Sequence, residues 1–262
     1  MSAHRFFSSA TLAIGSEPAQ ILLSDDDIHH AVDVLRLRVG ELIEVVSQGE
    51  AAHARLVKLS KVTRAGIWGV VMDEVPLGAS MGLSLIQGML KGEKMDIVAR
   101  QATELGVDGF EPVCTERSIV RVEGAKATAR CVRWRKIARA AAMQSHAPRV
   151  PDVAEVSGLD EACARALDRG TVIVLSERVG LPLLYSCSAL LAPDHVSLVI
   201  GPEGGLSERE EARLAEAGAV FASLGERILR AETAAVSAVA IAACARIAHR
   251  TETAEKVRSD GG

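Results

Sequence analysis

The chain has 262 residues, enough for one large domain or two modest ones, each with its own buried core. Hydrophobic residues make up 48% of it but aromatic residues only 3%, so Ala, Val, Leu and Ile must form the core, as in α/β proteins with buried parallel strands. So few rings argue against RNA recognition by several exposed stacking side chains, and a net charge of −4 does not by itself indicate a nucleic-acid binder.

Residues 1–75 have the pattern of a small β-rich module. Short apolar runs with partial alternation are separated by turn residues, which is typical of strands. Residues 25–37 begin with acidic side chains and place Ile28, Val32 and Leu35 at helical spacing, which predicts a short helix. The predicted strands are 21–23, 42–46, 52–59 and 66–72.

A linker rich in Pro, Gly and Ser spans residues 75–82, and strands and helices alternate after it. This alternation predicts a second domain, residues 76–250, with a mainly parallel sheet. Residues 251–262 are polar, and we expect a flexible tail there. The predicted strands are 83–87, 110–114, 171–176, 196–200 and 220–224, and the predicted helices are 93–105, 127–144, one from Ser207 and one that closes the chain.

Two glycine-bearing loops, 201–205 and 225–230, each follow an apolar strand and precede a helix. The first reads Gly-Pro-Glu-Gly-Gly and the second Gly-Glu-Arg-Ile-Leu-Arg. Both would lie at the carboxyl edge of a parallel sheet, where open α/β folds bind ligands, and glycine lets the backbone approach a flat ligand closely. Ser207 and Glu210 have capping-box spacing, which places a helix N-terminus directly after the first loop.

Residues 117–149 form a basic segment, with nine Lys or Arg against one acid, Glu123. Such clustering is typical of a phosphate-binding surface, although a solvated helix face has the same composition. Trp134, in the middle of the segment, fits either a core anchor or a stacking surface for a base.

Cysteine usage and the apolar stretches indicate the compartment. The five cysteines are scattered without a C-x-x-C pair, which predicts a reduced protein of the cytoplasm and no zinc site. The N-terminus has no long apolar h-region, so we expect no secretory signal. The stretch 234–248 is short, alanine-rich and interrupted by Ser237 and Arg246, which favours a buried or interface helix over a membrane span.

Together the two glycine loops resemble the cofactor loops of SPOUT (trefoil-knot) methyltransferases, and more narrowly those of the RsmE family, which methylates a uridine of 16S ribosomal RNA at N3. Where many members have Glu-Gln-Ser-Gly-Arg, this chain has Met143-Gln-Ser-His-Ala, so no role of that glutamate carries over. The similarity spans nearly the whole chain, with further matching segments at 30–41, 91–96, 101–107, 115–118 and 144–151.

The resemblance implies a small PUA-like β-barrel followed by a SPOUT α/β trefoil-knot domain, which together form an α/β fold with a mainly parallel sheet. It also implies a homodimer through the knot region, and S-adenosylmethionine as cofactor without metal or membrane. The RNA partner would be 16S ribosomal RNA within the small ribosomal subunit, methylated at uridine 1498. The expected cofactor-binding residues are Leu175, Ser176, Glu177, Ile200, Gly201, Pro202, Glu203, Gly204, Gly205, Leu224, Gly225, Ile228, Leu229 and Ala231.

Methylation at uridine N3 requires help with the weakly acidic N3 proton or stabilisation of the resulting uridinate. A guanidinium stays cationic and can donate two parallel hydrogen bonds to the deprotonated imide edge, so Arg230 and Arg117 are the catalytic candidates. Arg230 could instead cap the preceding strand or pair with Glu232. The expected RNA contacts are Arg5, Arg36, Arg133, Arg135, Arg139, Gln144 and Arg149.

Two other classes of protein remain as alternatives. One is a ribosome-assembly or RNA-binding protein that kept the fold but lost catalysis, which near-intact cofactor loops argue against. The other is a nucleotide-dependent enzyme of Rossmann type. That enzyme would need G-x-G-x-x-G after its first strand, and residues 83–94 lack this fingerprint.

Overall fold

The structure, a computed structural model, describes residues 3–15, 17–47, 53–178, 181–192 and 195–260, with side chains up to residue 252. The chain forms two compact units. The first comprises Met1–Ala79 with Ala142–Val150, and the second comprises Ser80–Ala141 with Pro151–Gly262. The end of the long basic helix and the residues after it thus belong to the first unit. Local sequence patterns do not show that the chain goes back to this unit.

The first unit contains a five-stranded sheet in the order β1-β3-β4-β5-β2, in which β1 runs parallel to β3 and the other pairs are antiparallel. Its core is mostly aliphatic, with Phe6 and Phe7 as buried aromatic residues and Ile21, Ile43 and Ile67 buried almost completely. The sequence predicted β2 to β5 but not β1, whose short Arg-Phe-Phe run shows no period. The strands are β1 His4–Ser8, β2 Ala19–Ile21, β3 Leu42–Ser47, β4 His53–Thr63 and β5 Gly66–Pro76.

The predicted helix of the first unit begins as α1, Asp25–His29, and continues as a π-helical turn, His30–Val34. Ser24 caps it, since its hydroxyl accepts a hydrogen bond from the Asp27 N–H at 3.2 Å. After the turn Arg36 has a φ of 55°, the left-handed conformation that usually falls to glycine at a helix end. Arg36 is therefore an exposed cation on a constrained backbone.

The second unit is built on a parallel sheet in the order β12-β10-β11-β6-β7-β8, with β9 also paired to β7. The elements predicted from strand–helix alternation are present, and a helix not predicted, α4, precedes β10. The strands are β6 Leu83–Gly88, β7 Gly109–Cys114, β8 Asp152–Val153, β9 Ser157–Gly158, β10 Gly170–Leu175, β11 His195–Ile200 and β12 Val220–Ala222. The helices are α2 Lys94–Glu104, α3 Gly124–Gln144, α4 Leu159–Arg169, α5 Glu208–Glu216 and α6 Ala231–Asp260.

Pro112 is buried in β7 although proline cannot donate to a sheet ladder. On one side β7 pairs with β6 along its length, whereas on the other β8 pairs with 109–110 and β9 with 113–114. The proline therefore faces the gap between two short partners, which explains how a proline fits a strand that is not at the edge of the sheet.

Helix α6 is a core helix of the second unit. Ala235, Ala238, Val239 and Ala242 recur at helical spacing and are fully buried, and the helix contacts β6, β11, α2 and the short helical turns between β10 and β11. By length and composition Ala231–Glu252 could cross a membrane, but its buried face packs on the sheet as a soluble core helix does. The helix continues to Asp260, through the polar residues expected as a tail.

Arg246 joins α6 to the connection between β10 and β11. The arginine is 6% exposed, and its guanidinium donates to the carbonyls of Leu190 at 2.9 Å, Ala192 at 3.1 Å and Met81 at 2.6 Å. The sequence presented it as an interruption of an apolar stretch. The buried guanidinium is satisfied because these three carbonyls, at the end of a helical turn and of the linker between the two units, accept its hydrogen bonds.

Arg246→Leu should destabilise the second unit by about 2–4 kcal/mol, because three buried carbonyls would be deprived of charged donors while the helix stays apolar. Arg250→Leu, one turn further along the same helix and exposed, is the matched control and should change stability little. Thermal unfolding of both variants measures the difference. Equal midpoints would contradict the structural role given to Arg246.

Candidate functional site

The carboxyl ends of adjacent strands bring the predicted loops together. In the register of the sheet, Leu175 at the end of β10 pairs with Ile200 of β11 and with Ala222 of β12. On the other side of β11, Ile200 pairs with Gln87 near the end of β6. Loops after four neighbouring strands, including the two glycine loops, therefore leave the same edge side by side.

The loop after β11, residues 201–206, folds tightly on itself and on the end of β6. A Cβ at Gly201 would lie 2.9 Å from the carbonyl carbon of Gly205, and one at Gly88 would lie 2.6 Å from the nitrogen of Pro202. The Gly205 N–H donates to the Pro202 carbonyl at 2.9 Å, and Gly205 has a φ of 67°. Only glycine fits these positions, so the sequence pattern has a steric cause.

Two side chains from other segments, one on β6 and one on the loop after β7, hold this loop in position. Gln87 is completely buried, and its amide donates to the carbonyl of Gly201 at 3.2 Å and to that of Gly88 at 3.0 Å. Arg117, on the loop after β7, donates through Nη1 to the carbonyls of Gly204 and Leu206, each at 3.1 Å. This contact ties Arg117 to the backbone of loop 201–206 and favours a bracing role over a catalytic one.

The helix after the loop is capped as predicted. The Ser207 hydroxyl accepts from the Glu210 N–H at 3.1 Å, and the Glu210 carboxylate accepts from the Ser207 N–H at 2.8 Å, which confirms the capping box. The other oxygen of Glu210 accepts from the N–H of Glu116 at 2.8 Å. One buried carboxylate thus fastens the loop after β7 to the start of α5.

Glu203, at the centre of the glycine loop, faces the start of α2. Its Oε1 accepts from the backbone N–H of Lys91 at 3.1 Å and from Nζ of Lys94 at 3.3 Å. Burial alone would raise the pKa of Glu203, but backbone hydrogen bonds and the Lys94 ammonium outweigh it and lower that pKa. Lys94 Nζ also lies 3.2 Å from Glu232 Oε2, and chiefly that contact raises the pKa of Lys94.

The loop after β12 is open to solvent. Gly225 has a φ of 109°, Ile228 is 82% exposed and Arg230 is exposed, while Leu224 and Leu229 are half-buried. Among the residues that the structure describes, the Arg230 guanidinium makes no hydrogen bond or ion pair. Ala231, which begins α6, is buried. The alternative pairing of Arg230 with Glu232 is wrong, since Glu232 faces Lys94.

The loop after β10 lies between these two. The Ser176 N–H donates to the carbonyl of Ala222 at 3.0 Å, and its hydroxyl donates to Glu211 at 2.5 Å. Leu175 is half-buried and Glu177 is exposed. These bonds hold the loop against β12 and α5, next to the loop that carries Arg230.

The cations predicted to contact RNA are in different situations. Arg133 forms two hydrogen bonds with Asp96, at 2.9 and 2.6 Å, and Arg135 donates to the Val153 carbonyl and to Glu155 at 2.8 Å. Arg139 is half-buried. Trp134 is 2% exposed and donates to Asp96 at 3.0 Å, so it is the core anchor and not a stacking surface.

In the first unit, Arg5 is 7% exposed and donates to Glu44 at 2.7 and 2.9 Å, to the Ala147 carbonyl at 3.0 Å and to the His146 carbonyl. This burial favours a structural role for Arg5. His146 has a φ of 55°, and its Nδ1 lies 3.2 Å from Glu44 Oε2. Gln144, Arg149 and Arg36 are exposed.

Sequence reasoning did not single out Gln87 or Lys94, and it named Glu232 only as an alternative partner of Arg230. Gln87 carries a usable signal, because a polar residue near the end of an apolar strand must find a partner when buried. The edge has the chemistry for a flat ligand with an apolar part: glycine backbones, open space where a side chain would stand at Gly205, and the exposed aliphatic side chain of Ile228. Across the described residues there is no cluster of three or more His, Cys, Asp or Glu that could hold a metal.

Known proteins share this architecture. A family model described as an RNA methyltransferase domain matches residues 79–243, and one described as an RNA methyltransferase PUA domain matches residues 23–62. The fold class predicted from the sequence, a SPOUT α/β trefoil-knot domain with a small PUA-like β domain, is confirmed. The protein is therefore an RNA methyltransferase in class.

Its relatives narrow the assignment. A Bacillus subtilis protein named ribosomal RNA small subunit methyltransferase E is 33% identical over 244 residues, covering 90% of this chain and 94% of that protein. A Mycobacterium bovis protein of the same name is 31% identical over 232 residues, covering 84% and 85%. The chain belongs to the ribosomal RNA small subunit methyltransferase E family.

Solved structures agree. The Neisseria gonorrhoeae protein of this family, crystallised with S-adenosylmethionine, aligns with a TM-score of 0.78 at 30% identity over 91% of this chain and 96% of that one. A Legionella pneumophila protein in complex with the same cofactor aligns with a TM-score of 0.82 over 94% and 98%. At 24% identity this second likeness supports the fold alone.

Gly201→Ala should destabilise the second unit by about 1–3 kcal/mol, because the new methyl would meet backbone atoms of Gly205 and Leu206 that cannot move independently. Gly158→Ala is the control, since its Cβ would meet nothing within 4 Å. Thermal unfolding and hydrogen exchange of the 201–206 segment test the difference. An unchanged segment in Gly201→Ala would show that the loop is not packed as described.

Proposed function

We propose that the protein transfers a methyl group from S-adenosylmethionine to N3 of a uridine in 16S ribosomal RNA of the small ribosomal subunit, uridine 1498 by family resemblance. The observation that carries the proposal is the set of three adjacent loops at one sheet edge, in a chain of the methyltransferase E family. The Neisseria relative with bound cofactor supports the choice of donor.

The cofactor would bind across the ends of β10, β11 and β12. The backbones of loop 201–206 and of Gly225 can approach the cofactor closely, since Gly204, Gly205 and Gly225 carry no side chain. The aliphatic side chains of Leu224, Ile228 and Leu229 offer apolar contact. When bound, S-adenosylmethionine supplies an electrophilic methyl group on a sulfonium. The chain's own task is to hold the uridine N3 in line with that methyl, which can be worth roughly 7–11 kcal/mol of the barrier.

Arg230 is the proposed catalytic residue. It is exposed at the end of a cofactor loop and, among the described residues, its guanidinium is not committed to another partner. It can therefore donate two parallel hydrogen bonds to the N3–O edge of the uridine as that edge loses its proton. Arg117, whose guanidinium is committed to Gly204 and Leu206, would act on the loop instead.

The proposal includes the domain roles and the assembly. Residues 1–75 would be the PUA-like RNA-binding domain and 76–250 the methyltransferase domain, in a cytoplasmic protein. Homodimerisation through the knot region is supported by exposed apolar side chains on the β10–β11 connection and on α6: Tyr185 is 69% exposed, and Leu183 and Ile247 are also exposed.

The RNA-facing cations of the second unit would be those outside ion pairs. Arg121 and Lys126 are exposed and Arg130 is half-buried, and none of the three forms an ion pair within the described part of the chain. By contrast, Arg133 and Arg135 already face carboxylates. The start of α3 and the loop before it would therefore supply more of the phosphate contact than its middle.

The direct test is methyl transfer from labelled S-adenosylmethionine to purified small ribosomal subunits that lack the modification, followed by mass spectrometry of the nucleosides. N3-methyluridine at one 16S position is the expected product. Cofactor binding without transfer would point to a different RNA or assembly state. If S-adenosylmethionine did not bind at all, a non-catalytic ribosome-assembly protein on the same fold would be the better description.

Arg230→Ala should lower the rate of methyl transfer by about a hundredfold or more, because the guanidinium acts mainly on charge that develops in the transition state. Arg230→Lys should recover little, since one ammonium cannot make the parallel pair of bonds. Arg227→Ala, in the same exposed loop, is the matched control. Calorimetry of S-adenosylmethionine should give the same affinity for all, and a fully active Arg230→Ala would remove Arg230 from the mechanism.

Arg121→Glu combined with Lys126→Glu should weaken binding to small subunits and reduce the salt slope by about one unit for each phosphate that the protein no longer binds. Arg209→Glu, a single charge reversal at an exposed position on α5, is the control and should leave both nearly unchanged. Binding measured across a salt series decides the matter. An unaltered slope would return this segment to a solvated helix face.

A further inference from the structure

We propose that Lys94 is a positioning residue that links the cofactor loop to the segment carrying Arg230. This inference rests on the proposed function and assigns a task to a side chain that touches neither the cofactor nor the uridine. The link runs from Glu203 on loop 201–206, through the Lys94 ammonium, to Glu232 in the first turn of α6.

The distances define the bridge. Lys94 Nζ lies 3.3 Å from Glu203 Oε1 and 3.2 Å from Glu232 Oε2, so one ammonium contacts a carboxylate on loop 201–206 and another in the first turn of α6. Glu203 has a second anchor, the Lys91 N–H, but this also comes from the segment that begins α2. No strand pairing joins β11 to β12, since β10 lies between them. The Lys94 bridge is a direct side-chain link between the two loops.

Its location goes against the field of its own helix. Lys94 is the first residue of α2, where the helix dipole disfavours a cation and favours an acid. Glu232, by contrast, lies in the first turn of α6, where an acid is favoured. The position of Lys94 is unfavourable for the dipole of α2. Its contacts with the two carboxylates therefore explain why a lysine lies there.

Removing the ammonium would leave two like charges facing each other. Glu203 and Glu232 are 27% and 17% exposed, so water would screen their repulsion only in part. The two loops would then separate, and Arg230, two residues before Glu232, would move with its loop. Small displacements of a group that orients reactants cost much more in rate than in stability.

Lys94→Met tests the link, with Lys91→Met as the matched control, because Lys91 contacts Glu203 through its backbone N–H only. Hydrogen exchange followed by mass spectrometry should show faster exchange in peptides covering 201–206 and 224–232 in Lys94→Met alone. All other peptides should match the wild type. This readout needs neither cofactor nor RNA, so it decides the inference even if the protein proves inactive on small subunits.

Activity gives a second, separable readout. At saturating S-adenosylmethionine, Lys94→Met should lower kcat for methyl transfer by about tenfold to a hundredfold, with the thermal midpoint near that of the wild type, since a partly exposed ion pair contributes little to stability. Lys94→Arg should keep most of the rate. Adding Glu232→Gln to Lys94→Met should recover part of it, because neutralising one carboxylate removes the repulsion.

The outcomes are distinct. Unchanged exchange in both segments of Lys94→Met overturns the inference, and so does a decrease in kcat that merely parallels a large drop in the thermal midpoint. A further decrease on adding Glu232→Gln would also contradict the bridge. If wild-type protein fails to methylate small subunits while the exchange result is as expected, the proposed function fails and the link between the loops stands.

Discussion

Loop 201–206 lies at the centre of the candidate site. Its position is fixed by side chains from β6 and from the loop after β7, and not by hydrogen bonds between strands. Its carbonyls are satisfied by Gln87 from β6 and by Arg117 from the loop after β7. Its one acid reaches the start of α2. Polar backbone groups next to a buried sheet must find partners, and here the partners come from the ends of two neighbouring strands, β6 and β7. The site's shape therefore depends on the order of strands in the sheet.

The composition of the chain also constrains this arrangement. With few aromatic residues, the second unit packs alanine, valine and leucine side chains, and α6 approaches the sheet through alanines such as Ala235 and Ala238. Close approach brings the start of α6, and with it Arg230, near the ends of the strands. Small side chains in the core thus help to decide where Arg230, the proposed catalytic residue, lies.

Much of the fold followed from local sequence signals. Capping-box spacing placed the start of α5, alternation gave most strands, and the order of strands brings the two glycine loops to one edge of the sheet, as predicted. Contacts between side chains far apart in the sequence could not be predicted. Arg5 meets Glu44, 39 residues away, and Arg133 meets Asp96, 37 residues away, so cations that look available along the sequence are already paired. The Lys94 bridge escaped for the same reason. Resemblance supplied the knot and the cofactor, which no periodicity reveals.

The buried Arg246 affects the order in which the protein can form. Its acceptors, the carbonyls of Met81, Leu190 and Ala192, all precede it in the chain. During synthesis they emerge first and stay without their charged donor until the last helix follows, because translation delivers the N-terminal part first. The second unit can therefore be completed only after α6 has been synthesised. A nascent chain of this protein contains the strands of the second unit well before it contains Arg246, the side chain that satisfies these carbonyls.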